Sequence, residues 1–154
     1  MSRIAVFPGS FDPFTKGHES LVRRFAIFFD QVIIGVGVNS TKKYFFTTES
    51  RLVHLKSLFE DLPQISIETY DGLTIDFCKK KKAQYLIRGL RNTTDFELEK
   101  SIAQMNKDMS GIETVFLISN PEWHAVNSTI VREIKKNNGD ISKFVTKPEL
   151  LVIA

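Results

Sequence analysis

Five short apolar runs alternate with five helix-length patterns along the chain, and this alternation restricts the fold more than any other feature. The runs are RIAVF at 3–7, QVIIGVGV at 31–38, QISIETY at 64–70, QYLI at 84–87 and IETVFLI at 112–118. Helical patterns fall at about 17–29, 48–61, 73–82, 94–109 and 128–136. Short, near-continuous apolar runs suit strands covered on both faces. Alternation with helices predicts a doubly wound five-stranded parallel sheet, Rossmann-like in class. At 154 residues, one domain spanning 1–154 is expected. The tail, 140–154, reads as one or two short helices with Pro148 at a helix start. Lys79 to Lys82 close the third helix, where cations complement the dipole. Gly35 and Gly37 lie inside the second strand and read as close packing, because no dinucleotide-type glycine pattern continues from them.

Composition narrows the function classes. Hydrophobic residues make up 42% and charged residues 25%, an ordinary globular balance. A single cysteine, Cys78, rules out an intramolecular disulfide and a cysteine-cluster metal site. No apolar stretch reaches membrane-spanning length and no signal-like segment opens the chain, so a soluble cytoplasmic protein without membrane contact is expected. The net charge of +3, with no basic stripe interleaved with aromatics, argues against nucleic acid. It suits anionic small molecules if the charge is focused in a cleft.

Four stretches at strand carboxyl ends, where α/β sheets bind ligands, are rich in phosphate-binding groups. The first is FPGSFDPFTKGH at 7–18, far more elaborate than a strand-to-helix turn requires. Gly9 lets backbone approach a ligand, Ser10 offers a hydroxyl, and Asp12-Pro13 makes a turn. Thr15-Lys16-Gly17-His18 opens a helix, whose free amides attract anions. The second is Asn39 to Lys43, with lysines just past a strand. The third, Leu86 to Arg91, sets Arg88 and Arg91 at a buried strand end, where they need anionic partners. The fourth, Trp123 to Thr129, offers Asn127, Ser128 and Thr129 when a helix cap needs only one of them. Asp76, Asp95, Glu97 and Glu99 lie on helices and read mostly as solvated surface. No Asp/Glu cluster has metal-ligand spacing, and Asp71 stands alone, so no side chain is assigned to a metal.

FPGSFDPFTKGH resembles the signature of the T/H-x-G-H nucleotidyltransferases. Ser-Thr-Lys-Lys at 40–43, Arg-Gly-Leu-Arg at 88–91, Asp-Phe-Glu-Leu-Glu at 95–99 and Asn-Ser-Thr-Ile-Val-Arg-Glu at 127–133 are similar to the pantetheine-phosphate adenylyltransferase family, in order, over essentially the whole chain. Thr15 fits this branch, since related branches usually carry His there. The resemblance implies transfer of the adenylyl group of ATP to 4′-phosphopantetheine, giving dephospho-coenzyme A and pyrophosphate. It also implies Mg²⁺ carried by the nucleotide phosphates, a homohexamer, and feedback inhibition by coenzyme A. The alternative is a same-fold nucleotidyltransferase with another phosphorylated acceptor.

Residue by residue, the resemblance implies that His18 stabilises the transition state, with Lys42 and Arg91 also catalytic. Ser10, Lys42, Thr74 and Arg88 match phosphopantetheine-binding positions. Ser10, Phe11, His18, Gly89, Leu90, Arg91, Glu99 and the stretch Trp123, His124, Ala125, Val126, Asn127, Ser128, Thr129 match ATP-binding positions. Three departures stand out. Ser10 replaces the commoner Thr, Asn127 a usual Ser, and Leu98 a frequent Tyr. Leu98 joins Ile102, Met105 and Met109 on one helical stripe suited to packing or assembly.

Overall fold

The structure, a computed structural model, describes residues 1–154. Strands β1 (Ile4–Gly9), β2 (Gln31–Gly37), β3 (Ile65–Tyr70), β4 (Tyr85–Leu90) and β5 (Glu113–Ile118) form one sheet in the order β3-β2-β1-β4-β5. Every pairing is parallel. Helices α1 (Lys16–Phe25), α2 (Thr48–Leu58), α3 (Thr74–Lys80), α4 (Thr93–Ser110) and α5 (Ser128–Lys136) alternate with the strands and follow the last one. The expected doubly wound sheet is present, with the chain reversing direction across it between β1 and β4. A crevice therefore opens beyond the carboxyl ends of those two strands.

Period-two alternation along β1 divides the core. Ala5 and Phe7 pack with Val32, Ile34 and Ile87 against Leu21, Val22 and Phe25 of α1 and Leu55 and Leu58 of α2. Val6 turns the other way and packs with Ile33 and Leu86 against Phe77 and Cys78 of α3. Gly35 belongs to this packing, as expected: a Cβ there would lie 3.0 Å from the Phe77 ring and 3.2 Å from that of Tyr70.

Two expectations need correcting. The first helix ends at Phe25 instead of 29, and the chain then turns so that the Asp30 carboxylate accepts from the Arg3 amide. The tail contains one short helical turn, the 3₁₀ segment Pro148–Leu150, starting at Pro148 as expected. Its backbone pairs across the fold: Thr47 N donates to Val152 O and Ala154 N to Phe45 O, both at 2.9 Å. Val145 and Leu151 close a separate apolar cluster on Phe46 and Val131, so tertiary burial replaces helical pairing. In the lysine run, Lys79 and Lys80 occupy the last turn of α3, while Lys81 forms an ion pair with Glu68.

Helix α4 is unusual. None of its 18 residues is buried, and Leu98, Ile102, Met105 and Met109 remain 63%, 45%, 64% and 56% exposed.

Candidate active site

The β1–α1 connection builds a histidine of defined protonation. Thr15 caps α1 by accepting from the His18 amide at 3.4 Å, and its own amide donates to His18 Nδ1 at 3.0 Å. An amide can only donate, so Nδ1 carries the lone pair and the ring proton sits on Nε2. Phe7, Phe11 and Phe14 surround the imidazole with ring centroids 6.2, 5.4 and 5.2 Å away. Burial, and then the positive charges of Arg88 and Arg91, lower the His18 pKa to about 4. His18 is thus a neutral Nε2–H donor at physiological pH. Gly9 lines both cavities of the site described below, and a Cβ there would lie 2.7 Å from Phe11 Cε1. The glycine thus also makes room for the aromatic wall of the histidine.

At the end of β4, Arg88 donates from Nε and Nη2 to the two carboxylate oxygens of Glu99, at 3.0 and 2.6 Å, and from Nη1 to Pro8 O at 3.0 Å. Arg91 donates to Asp95 from its backbone amide at 3.1 Å and from Nε at 2.9 Å. The guanidinium of Arg91 beside it holds the Asp95 carboxyl below the usual carboxylate range. The arginines therefore find the anions that their position demands, on the facing turns of α4. This corrects the reading of the α4 carboxylates as mostly solvated. Asp95 and Glu99, four residues apart, share the inward face, whereas Glu97 pairs with Lys100 in solvent.

The start of α5 separates three residues that look alike in sequence. Asn127 is the N-cap and accepts from the Ile130 amide at 2.9 Å. Ser128 donates to Pro13 O at 2.7 Å, tying α5 to the β1–α1 loop. Thr129 is exposed and accepts from Arg132 at 3.2 Å.

These parts enclose a cavity of about 310 Å³ lined by Ser10, Phe11, His18, Arg88, Gly89, Arg91, Glu99, Trp123, Val126, Asn127 and Ser128. Gly89 leaves room there for Leu21: a Cβ would fall 2.2 Å from Leu21 Cδ1 and force that side chain to move. Arg88 and Glu99 also line an adjoining cavity of about 370 Å³, together with Tyr70, Leu73, Thr74, Ile102 and Asn106. Thr74 is hydrogen-bonded there to the Tyr70 hydroxyl at 2.9 Å. Other expected site residues lie outside both cavities. Lys42 is exposed in a cleft shared with Ser10, its Nζ 5.5 Å from the Tyr44 ring. The His124 ring bonds to Ser119 O at 2.9 Å, Ala125 and Thr129 face solvent, and Leu90 lines neither cavity.

Sequence reasoning overlooked Asp12, Arg51, Asp95 and Arg132 as parts of the site. Asp12 accepts from the Phe45 and Phe46 amides, and Arg132 donates to Asp12 O at 2.7 Å. Asp12 stood inside the first motif, but a turn explained it; Arg51 carried no signal. No group of three or more His, Cys, Asp or Glu side chains comes together as a metal cage. No helix is long and apolar enough to cross a membrane.

Comparison with known proteins agrees with this geometry. The cytidylyltransferase-like family matches residues 6–134. A phosphopantetheine adenylyltransferase of Bacteroides fragilis is 48% identical over 145 residues, covering 94% of this chain and 97% of the relative. That of Cytophaga hutchinsonii is 49% identical over 146 residues, with the same coverage of 94% and 97%. Among solved structures, a putative nicotinate-nucleotide adenylyltransferase from Vibrio parahaemolyticus superposes with a TM-score of 0.68 at 20% identity, covering 97% of this chain and 96% of that one. A bifunctional NMN adenylyltransferase/ADP-ribose pyrophosphatase from Francisella tularensis gives a TM-score of 0.72 at 19% identity over 97% of this chain and 49% of its own. These two establish the shared fold. By its sequence match along nearly its whole length, the chain belongs to the phosphopantetheine adenylyltransferase family, within the wider cytidylyltransferase-like family.

Proposed function

We propose that this site performs the activity for which its family is named by direct in-line displacement. The chain transfers the adenylyl group of ATP to 4′-phosphopantetheine, releasing pyrophosphate and dephospho-coenzyme A. The carrying observation is the neutral His18, with a free Nε2–H in the lining of a cavity shared with Arg91 and Arg88. The attacking phosphate of phosphopantetheine is already largely ionised near neutral pH, its second pKa being about 6. No general base is needed, and none is present in suitable form: the cavity carboxylates are tied to arginines. What the reaction needs is alignment and stabilisation of charge at the α-phosphate.

His18 Nε2–H donates to the α-phosphate as charge builds there. A neutral imidazole stabilises that charge by donating a hydrogen bond, its Nε2 proton staying on the ring. Arg91 and Ser128, with the N-terminus of α5, hold the β- and γ-phosphates; Thr129 joins them if its side chain turns inward. Glu99, Trp123, Val126 and Asn127 line the same cavity and belong to the nucleotide side. Arg88, Ser10 and Thr74 hold phosphopantetheine, whose arm fits the adjoining cavity. Lys42 swings from the Tyr44 ring to bridge the two phosphates; a four-carbon stem in an exposed position permits this. Mg²⁺ carried on the nucleotide phosphates would supply charge neutralisation for the leaving pyrophosphate, with Arg91 and Ser128 beside it on the protein side.

Three wider properties belong to the same proposal. The exposed stripe Leu98, Ile102, Met105 and Met109 supports assembly as a homohexamer, because an apolar face of this length is uncommon on a monomer. Coenzyme A, which contains the product's phosphopantetheine arm, acts as a competitive feedback inhibitor in the same cavities. The setting is cytoplasmic. Offering ATP and Mg²⁺ with either 4′-phosphopantetheine or nicotinamide mononucleotide, and identifying products by mass, tests the acceptor. Dephospho-coenzyme A alone is expected; a dinucleotide product in its place assigns the site to another acceptor.

A further inference from the structure

Arg51 is 1% exposed, yet it forms no ion pair with a carboxylate. A buried arginine is costly unless its donors are satisfied and its position matters. Its donors join two segments, the loop after β1 and the stretch leading into α2. Nη1 donates to Ser10 O in the β1–α1 loop, Nε to Phe46 O at 3.3 Å, and Nη2 to Thr48 Oγ1 at 2.9 Å. Its flat face lies over the Tyr44 ring, 4.2 Å from the centroid. Tyr44 in turn closes the segment that carries Lys42: its hydroxyl accepts from the Asn39 amide at 2.9 Å and donates to Gly37 O at 3.3 Å. Asp12 completes the joint, its two carboxylate oxygens accepting from the Phe45 and Phe46 amides at 2.8 and 2.9 Å.

We infer that Arg51 is a positioning residue for the adenylyl transfer: together with Asp12 and Tyr44 it fixes the Lys42 segment against the Ser10 loop, and so sets where the Lys42 ammonium meets the incoming phosphate. This rests on the bridging role given to Lys42. The need for such a joint is physical. Lys42 lies on an irregular, exposed segment whose own bonds at 37–44 are local; the segment reaches the loop bearing Ser10 through the 45–46 amides on Asp12 and through the stack of Tyr44 on Arg51. A misplacement of about 1 Å can cost on the order of 10²-fold in rate. Lysine cannot replace Arg51, because it lacks the planar fork that stacks on Tyr44 while bonding three acceptors.

The test is a double-mutant cycle on turnover, with Arg51→Lys and the milder Tyr44→Phe each combined with Lys42→Ala. Arg51→Lys is expected to lower kcat/KM for phosphopantetheine by about 10–100-fold while the dissociation constant for ATP changes less than about threefold. Tyr44→Phe, which keeps the ring and loses only the closing hydroxyl, is expected to lower it in the same direction. In the Lys42→Ala background both effects should largely vanish, because a residue acting through Lys42 has nothing left to position. Effects that persist undiminished without Lys42 would overturn the inference and leave Arg51 with a merely structural role. So would wild-type turnover in Tyr44→Phe, which decides the matter if Arg51→Lys does not fold. Should Lys42→Ala itself leave turnover unchanged, the bridging role fails and the inference with it, a result separable from Lys42→Ala being costly while the clamp variants are silent.

Discussion

The Thr15 amide donates to His18 Nδ1 at 3.0 Å, and that one bond decides which nitrogen of the site's histidine can serve as a donor. With burial and two arginines lowering its pKa to about 4, the ring stays neutral with its proton on Nε2.

A histidine-resolved NMR titration should therefore show the His18 ring in the Nε2–H form without change between pH 8 and 5. A midpoint near 6.5 would contradict the account. Stability follows by linkage. The unfolded chain takes up this proton near 6.5 and the folded chain only near 4. The contribution is thus complete above pH 6.5 and is lost as pH falls toward 4. Burial lowers the His54 pKa as well, so it acts in the same direction. Urea midpoints should fall across that window, and His18→Gln should make the fall shallower.

Arg88 grips Glu99 and Pro8 O with three donors. Arg88→Lys keeps the charge but loses the fork. The KM for 4′-phosphopantetheine should rise at least about tenfold, corresponding to about 1.4 kcal/mol, as expected for losing a bonded charged donor. Steady-state kinetics with phosphopantetheine as the varied substrate would read this directly. An unchanged KM would remove Arg88 from the acceptor site.

The tight approach of Gly89 to Leu21 gives a stability prediction. Gly89→Ala should destabilise by about 1–3 kcal/mol in chemical denaturation, as overpacking does. In a Leu21→Ala background, where the clashing methyl is gone, the added penalty should shrink to well below that. Equal penalties in both backgrounds would mean that backbone conformation and not packing requires the glycine.

Direct attack predicts the stereochemistry. With ATP made chiral at the α-phosphorus by sulfur substitution, the product should show inversion. Retention would require two displacements and a covalent adenylyl intermediate, for which His18 would be the candidate.

Much of this was legible in the sequence. Apolar runs under helices on both sides could hardly be anything but a parallel sheet, and the elaborate stretch from Phe7 to His18 marked the crevice. Two kinds of information were not local and stayed hidden. One is partner choice: Asp95 and Glu99 have the spacing of a solvated helix face, and only the packing of α4 over β4 turns them to Arg91 and Arg88. The other is the long-range pairing of the tail. Pro148 begins a short 3₁₀ turn, but the residues after it, Val152 and Ala154, pair with the 45–47 segment more than 100 residues earlier.

The central claim is that a neutral His18 stabilises the adenylyl transfer where two phosphates meet. The most direct measurement is pyrophosphate release from ATP and Mg²⁺, with and without 4′-phosphopantetheine, in the wild type and in His18→Ala. The account predicts release that depends on phosphopantetheine and falls by about 10²–10³-fold in the folded variant, with ATP still bound. Release that is independent of phosphopantetheine, or undiminished without the imidazole, would contradict it.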